Sequence, residues 1–335
     1  MEKNKRIITL LLVIIMTLGC LNMLTLAQER VLKAQTLWGP VQYGDVLAAW
    51  EEDFNKMHKG SIQLDVYTAG ELTSMQQTIA AVQQGAVDLA TCMGAHMGAP
   101  IDVVAFESAP PFAWDNAMEL LTLWEIKGMK EIVTESWEEL GGITVCGHTI
   151  CDPLNIITKE PIESIEDLKG LKISGDPNVA KIFKDVGITS VTLSYDDLYL
   201  SAETGMIDGI AWGGATEGFT NSWYEVCPYF LKNPISGAFT NPWIINLELW
   251  ESLSSGQQAA ITTGLNDLRG RLMAYYYNGE TESLKHFKVT ELPEEEWNIL
   301  REKTFQYWDD KVAPISERAA KLVNIIKEYQ LEEIK

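Results

Sequence analysis

The apolar positions between residues 33 and 90 change period several times. A short strand is predicted over 33–38 and broken by Gly39-Pro40. Tyr43, Val46, Leu47, Trp50, Phe54 and Met57 then recur at helical spacing. Residues 61–67 alternate, with Ile62, Leu64 and Val66 on one face, as in a half-buried strand. A helix over 74–84 stops at Gly85, and Val87-Asp88-Leu89-Ala90 opens a third strand. Strand, helix, strand, helix, strand is the order of a parallel α/β sheet.

The order returns in the second half. Leu171-Lys172-Ile173 runs into the polar loop Ser174-Gly175-Asp176-Pro177, where Asp176 suits an N-cap and Pro177 the first helical turn. Val179, Ile182, Phe183 and Val186 mark the inner face of that helix. After a strand over 190–193, Ser194 and Asp197 form a capping-box pattern for a helix over 195–204. Gly205-Met206-Ile207-Asp208 then repeats the turn Gly85-Ala86-Val87-Asp88, which predicts two similar α/β lobes. Segments 142–160 and 230–247 read as ordered crossovers, followed by amphipathic helices over about 254–286 and 293–329. The predicted division is 28–150 with 236–286 for one lobe and 151–235 with 287–335 for the other.

Composition narrows the class. Of 335 residues, 46% are hydrophobic, and 26 basic against 47 acidic residues give a net charge of −21, which disfavours nucleic acid and anionic membranes as partners. Lys3, Lys5 and Arg6 precede an apolar run, so 1–27 is expected to be a cleaved signal peptide, with tethering, by a lipid anchor at Cys20 or by a retained apolar span over 7–27, as the runner-up. The five cysteines form no framework, although one disulfide involving Cys227 remains open. The four histidines lack metal-ligand spacing, and no catalytic motif occurs, so the chain is expected not to be an enzyme and to need no cofactor.

Ligand candidates cluster at predicted strand ends, which face the crevice in open α/β sheets. Trp38 and Trp212 are candidate aromatic walls, followed by Trp114 and, more weakly, Trp243. Trp50, Trp124, Trp137, Trp297 and Trp308 lie on helical faces and are expected in the core.

Several stretches carry a resemblance. SIQLDVYTAGEL (61–72) and AVQQGAVDLA (81–90) resemble the first lobe of TRAP (tripartite ATP-independent periplasmic) transporter solute receptors. IEDLKGLKI (165–173), GMIDG (205–209) and WYEV (223–226) resemble the second, and NLELWESL (246–253) the segment after the last cleft strand. Trp212-Gly213 and VCPY (226–229) look closest to the α-keto-acid and lactate receptors. The resemblance implies a two-lobe periplasmic-binding-protein fold of type II character, with a ligand cleft and long C-terminal helices crossing both lobes. It also implies delivery of a solute to membrane permease subunits, by a monomer or a homodimer. A sensor module for a membrane kinase is the alternative.

The departures shape the expected ligand. Where relatives of this kind carry an arginine after the GLKI strand, this chain has Ser174, and no arginine occurs between Arg30 and Arg269. Bidentate clamping of a carboxylate is therefore not expected. The metal-binding subgroup's carboxylate position holds Ala211, and Asp152 alone makes no calcium site, so no metal is predicted. Ser174, Asn155 and Asn241 suit a neutral hydroxylated or aromatic solute. Glu217 or Asp176 could counter an amine, with tryptophan offering a cation–π face. His96 completes the candidate set. An organic acid held without arginine is the alternative.

Overall fold

The computed structural model describes residues 29–184 and 187–333. The predicted signal peptide and Cys20 lie outside them. No helix among the described residues is long and apolar enough to cross a membrane.

Among the described residues, eleven strands form two sheets: β1 (Arg30–Gln35), β2 (Ile62–Tyr67), β3 (Leu89–Thr91), β4 (Ile143–Ile150), β5 (Leu154–Thr158), β6 (Lys172–Gly175), β7 (Thr189–Ser190), β8 (Gly209–Gly213), β9 (Tyr229–Ser236), β10 (Thr240–Asn246) and β11 (Lys288–Thr290). The first sheet has the order β2-β1-β3-β10-β4 and the second β11-β9-β5-β8-β6-β7. In the first, β1 runs parallel to β2 and β3 while β10 lies antiparallel to β3. In the second, β6 runs parallel to β7 and β8 while β5 lies antiparallel to β8. The two lobes are thus built to one plan. β4–β5 and β9–β10 are the paired crossovers, each giving one strand to each sheet.

The repeated turn explains part of this likeness. Asp88 Oδ2 accepts from the Lys33 N–H at 2.7 Å and Asp208 Oδ2 from the Lys172 N–H at 2.9 Å, tying each turn to the first strand of its lobe. Gly85 (φ +72°) and Gly205 (φ +80°) end the preceding helices in the left-handed conformation that favours glycine.

Helices cover the sheets: α1 (Ala48–Met57), α2 (Thr78–Gln83), α3 (Gly94–Met97), α4 (Met129–Glu138), α5 (Pro177–Phe183), α6 (Leu198–Glu203), α7 (Ala215–Thr220), α8 (Ser255–Ser283), α9 (Glu294–Tyr307) and α10 (Glu317–Glu333). Asp176 caps α5 by accepting from the Asn178 N–H at 2.7 Å. The strand predicted over 190–193 is shorter and earlier, as β7. The helix predicted over 195–204 begins as a 3₁₀ turn before α6.

The long helix α8 starts in a capping box between Ser254 and Gln257 and lies along β4 and α7, so it touches both lobes. Its stripe of Ile261, Leu265, Leu268, Leu272 and Tyr276 is buried. The tail departs from the expected division. Trp308, Val312, Ala319, Leu322, Val323 and Ile326 share an apolar cluster with Leu120, Val133, Trp137 and Ile143, so the chain's end packs on the first lobe. The amphipathic pattern of α10 marks an apolar face without saying which surface it meets. Cys92, Cys146, Cys151 and Cys227 are buried free thiols, so the disulfide left open at Cys227 is absent among the described residues.

Candidate ligand-binding site

The strand β8 ends in Gly213, and Gly214 leads into α7. A Cβ on Gly213 would lie 2.8 Å from Asp152 Oδ2 and 2.7 Å from Glu217 Cγ, and one on Gly214 would lie 2.5 Å from Glu280 Oε1. Two side-chain-free residues therefore let three carboxylates converge, from the crossover, α7 and α8.

Each carboxylate has polar support. Asp152 Oδ2 accepts from the Gly214 N–H at 3.1 Å. Glu280 accepts from the Ala215 and Thr216 N–H groups at 2.8 Å each, at the start of α7. Glu217 Oε2 accepts from the Tyr195 hydroxyl and, at 3.2 Å, from Asn221 Nδ2. None of the three forms an ion pair with a basic side chain among the described residues. Burial, reinforced by the Glu217 and Glu280 charges, pushes Asp152 well up, and burial also raises Glu217 and Glu280.

The arginines are engaged elsewhere: Arg269 with Glu125 at 2.6 Å, Arg271 with Asp53 at 2.7 Å, Arg301 with Asp115 at 2.9 Å and Arg318 with Asp102 at 3.0 Å. Lys172 is exposed on the outer face.

Aromatic and polar groups continue the site. The Trp212 ring meets Tyr195 edge-on at 6.2 Å and lies 5.1 Å from His96. Trp212 Nε1 donates to the fully buried Ser174 Oγ at 3.3 Å. His96 Nε2 stands 3.3 Å from Asp176 Oδ2, and Asn178 Nδ2 donates to the Glu107 carbonyl at 2.9 Å. Both contacts join the first lobe to the second. Burial lowers His96 to about 4 and raises Asp176 to about 7. On the first lobe's side, Asn241 Nδ2 donates to Cys151 Sγ at 3.1 Å, and Trp38 is buried beside the same thiol.

Two α/β lobes of one plan, joined by paired crossovers and facing each other across buried polar groups, form the framework of a solute receptor. The description "Bacterial extracellular solute-binding protein, family 7" matches residues 39–321. The chain belongs to this family. Among solved structures it is similar to a TRAP periplasmic solute-binding protein of Chromohalobacter salexigens with bound (S)-(+)-2-amino-1-propanol. That match has 29% identity and a TM-score of 0.81, covering 91% of this chain and 96% of the other. It is also similar to the ectoine-binding periplasmic protein TeaA of Halomonas elongata, 24% identical over 309 residues, 85% of this chain and 86% of that protein. The match to a solute-binding protein of Albidiferax ferrireducens, 25% identical, spans 55% of this chain and 56% of that protein.

Within this TRAP-type receptor the expected residues separate. Asp152, Glu217, Trp212, Ser174, Asp176 and His96 form one connected chain of contacts, and Trp38 and Asn241 approach it through Cys151. Three others lie apart. Trp114 is wholly enclosed in the first lobe's core, its indole donating to the Ala238 carbonyl at 2.8 Å. Trp243 is fully buried 6.4 Å from the Trp50 ring. Asn155 donates to the Leu231 and Lys232 carbonyls where the β5–β9 register shifts, so its amide serves the sheet. Glu280 and Tyr195 were not anticipated. A signal for Glu280 exists: 268, 272, 276 and 280 fall on one helical face, so the carboxylate continues an apolar stripe.

Proposed function

We propose that this receptor captures a small organic cation, an amine, between its lobes and delivers it to TRAP permease subunits in the membrane. The observation carrying this reading is the convergence of Asp152, Glu217 and Glu280 without a basic partner. Like-charged carboxylates withdrawn from water are poorly ionised until a cation neutralises them. An amine entering the cleft supplies that charge, whereas a carboxylate solute would add another negative group to a site without arginine. Asp152 and Glu217 hold the ammonium, Trp38 and Trp212 flank it, Ser174 and Asn241 supply polar contacts, and His96 with Asp176 joins the lobes around it. The bound amino alcohol of the Chromohalobacter salexigens relative supports a cationic solute. The basic residues and apolar run within 1–27 support export of the receptor out of the cytoplasm through a leader.

The test is to denature purified receptor, identify released solutes by mass spectrometry, and screen amines and carboxylates by thermal shift. A bound amine raises the melting temperature by mass action. The reading fails if mono- or dicarboxylates stabilise the protein and amines, 2-amino-1-propanol included, do not.

A further inference from the structure

We propose that the solute's charged end is a primary ammonium, its N–H groups divided among Asp152, Glu217 and Asn241. This rests on the amine reading above and narrows it to one kind of amine. The deciding group is Asn241, which is 3% exposed. Its Nδ2 is occupied by Cys151 Sγ at 3.1 Å, while its Oδ1 is buried with no donor. A buried amide carbonyl without a donor is destabilising, and native structures rarely leave one so.

Asn241 is held beside the segment that carries Asp152. The Cys151 N–H donates to the Phe239 carbonyl at 3.1 Å and the Phe239 N–H to the Asp152 carbonyl at 2.9 Å. Residues 239–241 therefore run beside residues 151–152, with the Asn241 amide on Cys151. On the other side, both hydrogen bonds to the Glu217 carboxylate end on Oε2, leaving Oε1 without a donor among the described residues. The acceptors come from the crossover (Asp152), the second lobe (Glu217) and the first lobe (Asn241).

Three acceptors on neighbouring segments suit a group with three N–H donors, which among organic cations is the primary ammonium. A quaternary ammonium offers none. It would leave the Asn241 carbonyl unsatisfied and hold the carboxylates off by the bulk of its methyl groups. Such ions are recognised chiefly through aromatic faces, and a buried amide acceptor gives them no hydrogen bond. Because the acceptors belong to both lobes, the same ammonium also ties the lobes together.

The experiment titrates the full receptor calorimetrically with ethanolamine and its N-methyl, N,N-dimethyl and N,N,N-trimethyl derivatives. Each lost N–H is a lost charge-assisted hydrogen bond, so affinity should fall about 10-fold or more per methyl group. Asn241→Leu should weaken ethanolamine by about 10-fold and leave the trimethyl compound within about 3-fold of its wild-type affinity. Trimethyl binding equal to or tighter than ethanolamine overturns the primary-ammonium proposal and leaves the amine reading standing. Binding of none of the four, nor of 2-amino-1-propanol, overturns both. The wild-type series decides the matter even if the Asn241 variant fails to fold.

Discussion

Replacing Glu107 by glutamine should change how the receptor's stability depends on pH. Glu107 is 1% exposed, and burial pushes its carboxyl up to about 8 from an ordinary 4.5. Trp137 Nε1 donates to Oε1 at 3.1 Å and opposes that rise, while Oε2 is buried with no partner. The folded chain keeps the proton to about pH 8, and the unfolded chain releases it near pH 4.5. The folded state thus binds more protons across that window. Its contribution is fully present below pH 4.5 and lost as pH rises through about 8. At about 1.4 kcal/mol per pH unit, the loss between pH 5 and pH 8 comes to about 3 kcal/mol. Glutamine keeps the shape and the acceptor for Trp137 but does not titrate. Urea denaturation followed by tryptophan fluorescence, on both proteins at pH 5 and pH 8, cancels the other titrating groups in the difference. The variant's stability relative to wild type should rise by about 3 kcal/mol from the lower to the higher pH. A difference that stays constant would refute the assignment of a buried, protonated Glu107.

Glu217→Gln should act with opposite signs on two readouts. Ligand-free melting temperature rises, because one of three crowded carboxylates is neutralised, while amine affinity measured by calorimetry falls about 10- to 100-fold. A Cβ at position 237 would lie 2.1 Å from Asn116 N and the Asp115 carbonyl carbon, so Gly237→Ala must displace backbone. It should cost about 1–3 kcal/mol or more in chemical denaturation; an unchanged midpoint would contradict the packing. His96→Ala removes the 3.3 Å approach to Asp176 and the ring packed on Trp212. Small-angle scattering of the ligand-free variant should show a larger radius of gyration than wild type, and an identical profile would deny His96 a part in joining the lobes.

Local periodicity determined much of this protein. The alternation of 61–67, the helical stripe ending at Met57 and the paired turns at Gly85 and Gly205 each reflect a few neighbouring residues obeying strand or helix geometry. The structure shows them in two lobes of one plan. The five tryptophans on helical faces were readable for the same reason, and all are buried. The lack of arginine between positions 30 and 269 is a fact of the sequence, and it made a guanidinium clamp unexpected before any fold was known.

Tertiary structure decided what those elements face. Trp38 follows the end of β1, whereas Trp243 stands in the middle of β10, which lies between β3 and β4, and that pairing puts Trp243 in the core. Asn155 resembles a cleft residue until the shifted register of β5 and β9 gives its amide two carbonyls to satisfy. The C-terminal helix shows an apolar face, but only the fold returns it to the first lobe. The carboxylate cluster joins positions 152, 217 and 280, brought together by the crossover and by a helix spanning both lobes. Side-chain period depends on neighbours within one turn or one pleat. Which surfaces meet depends on chain segments far apart in sequence, and the binding site is made where those surfaces meet.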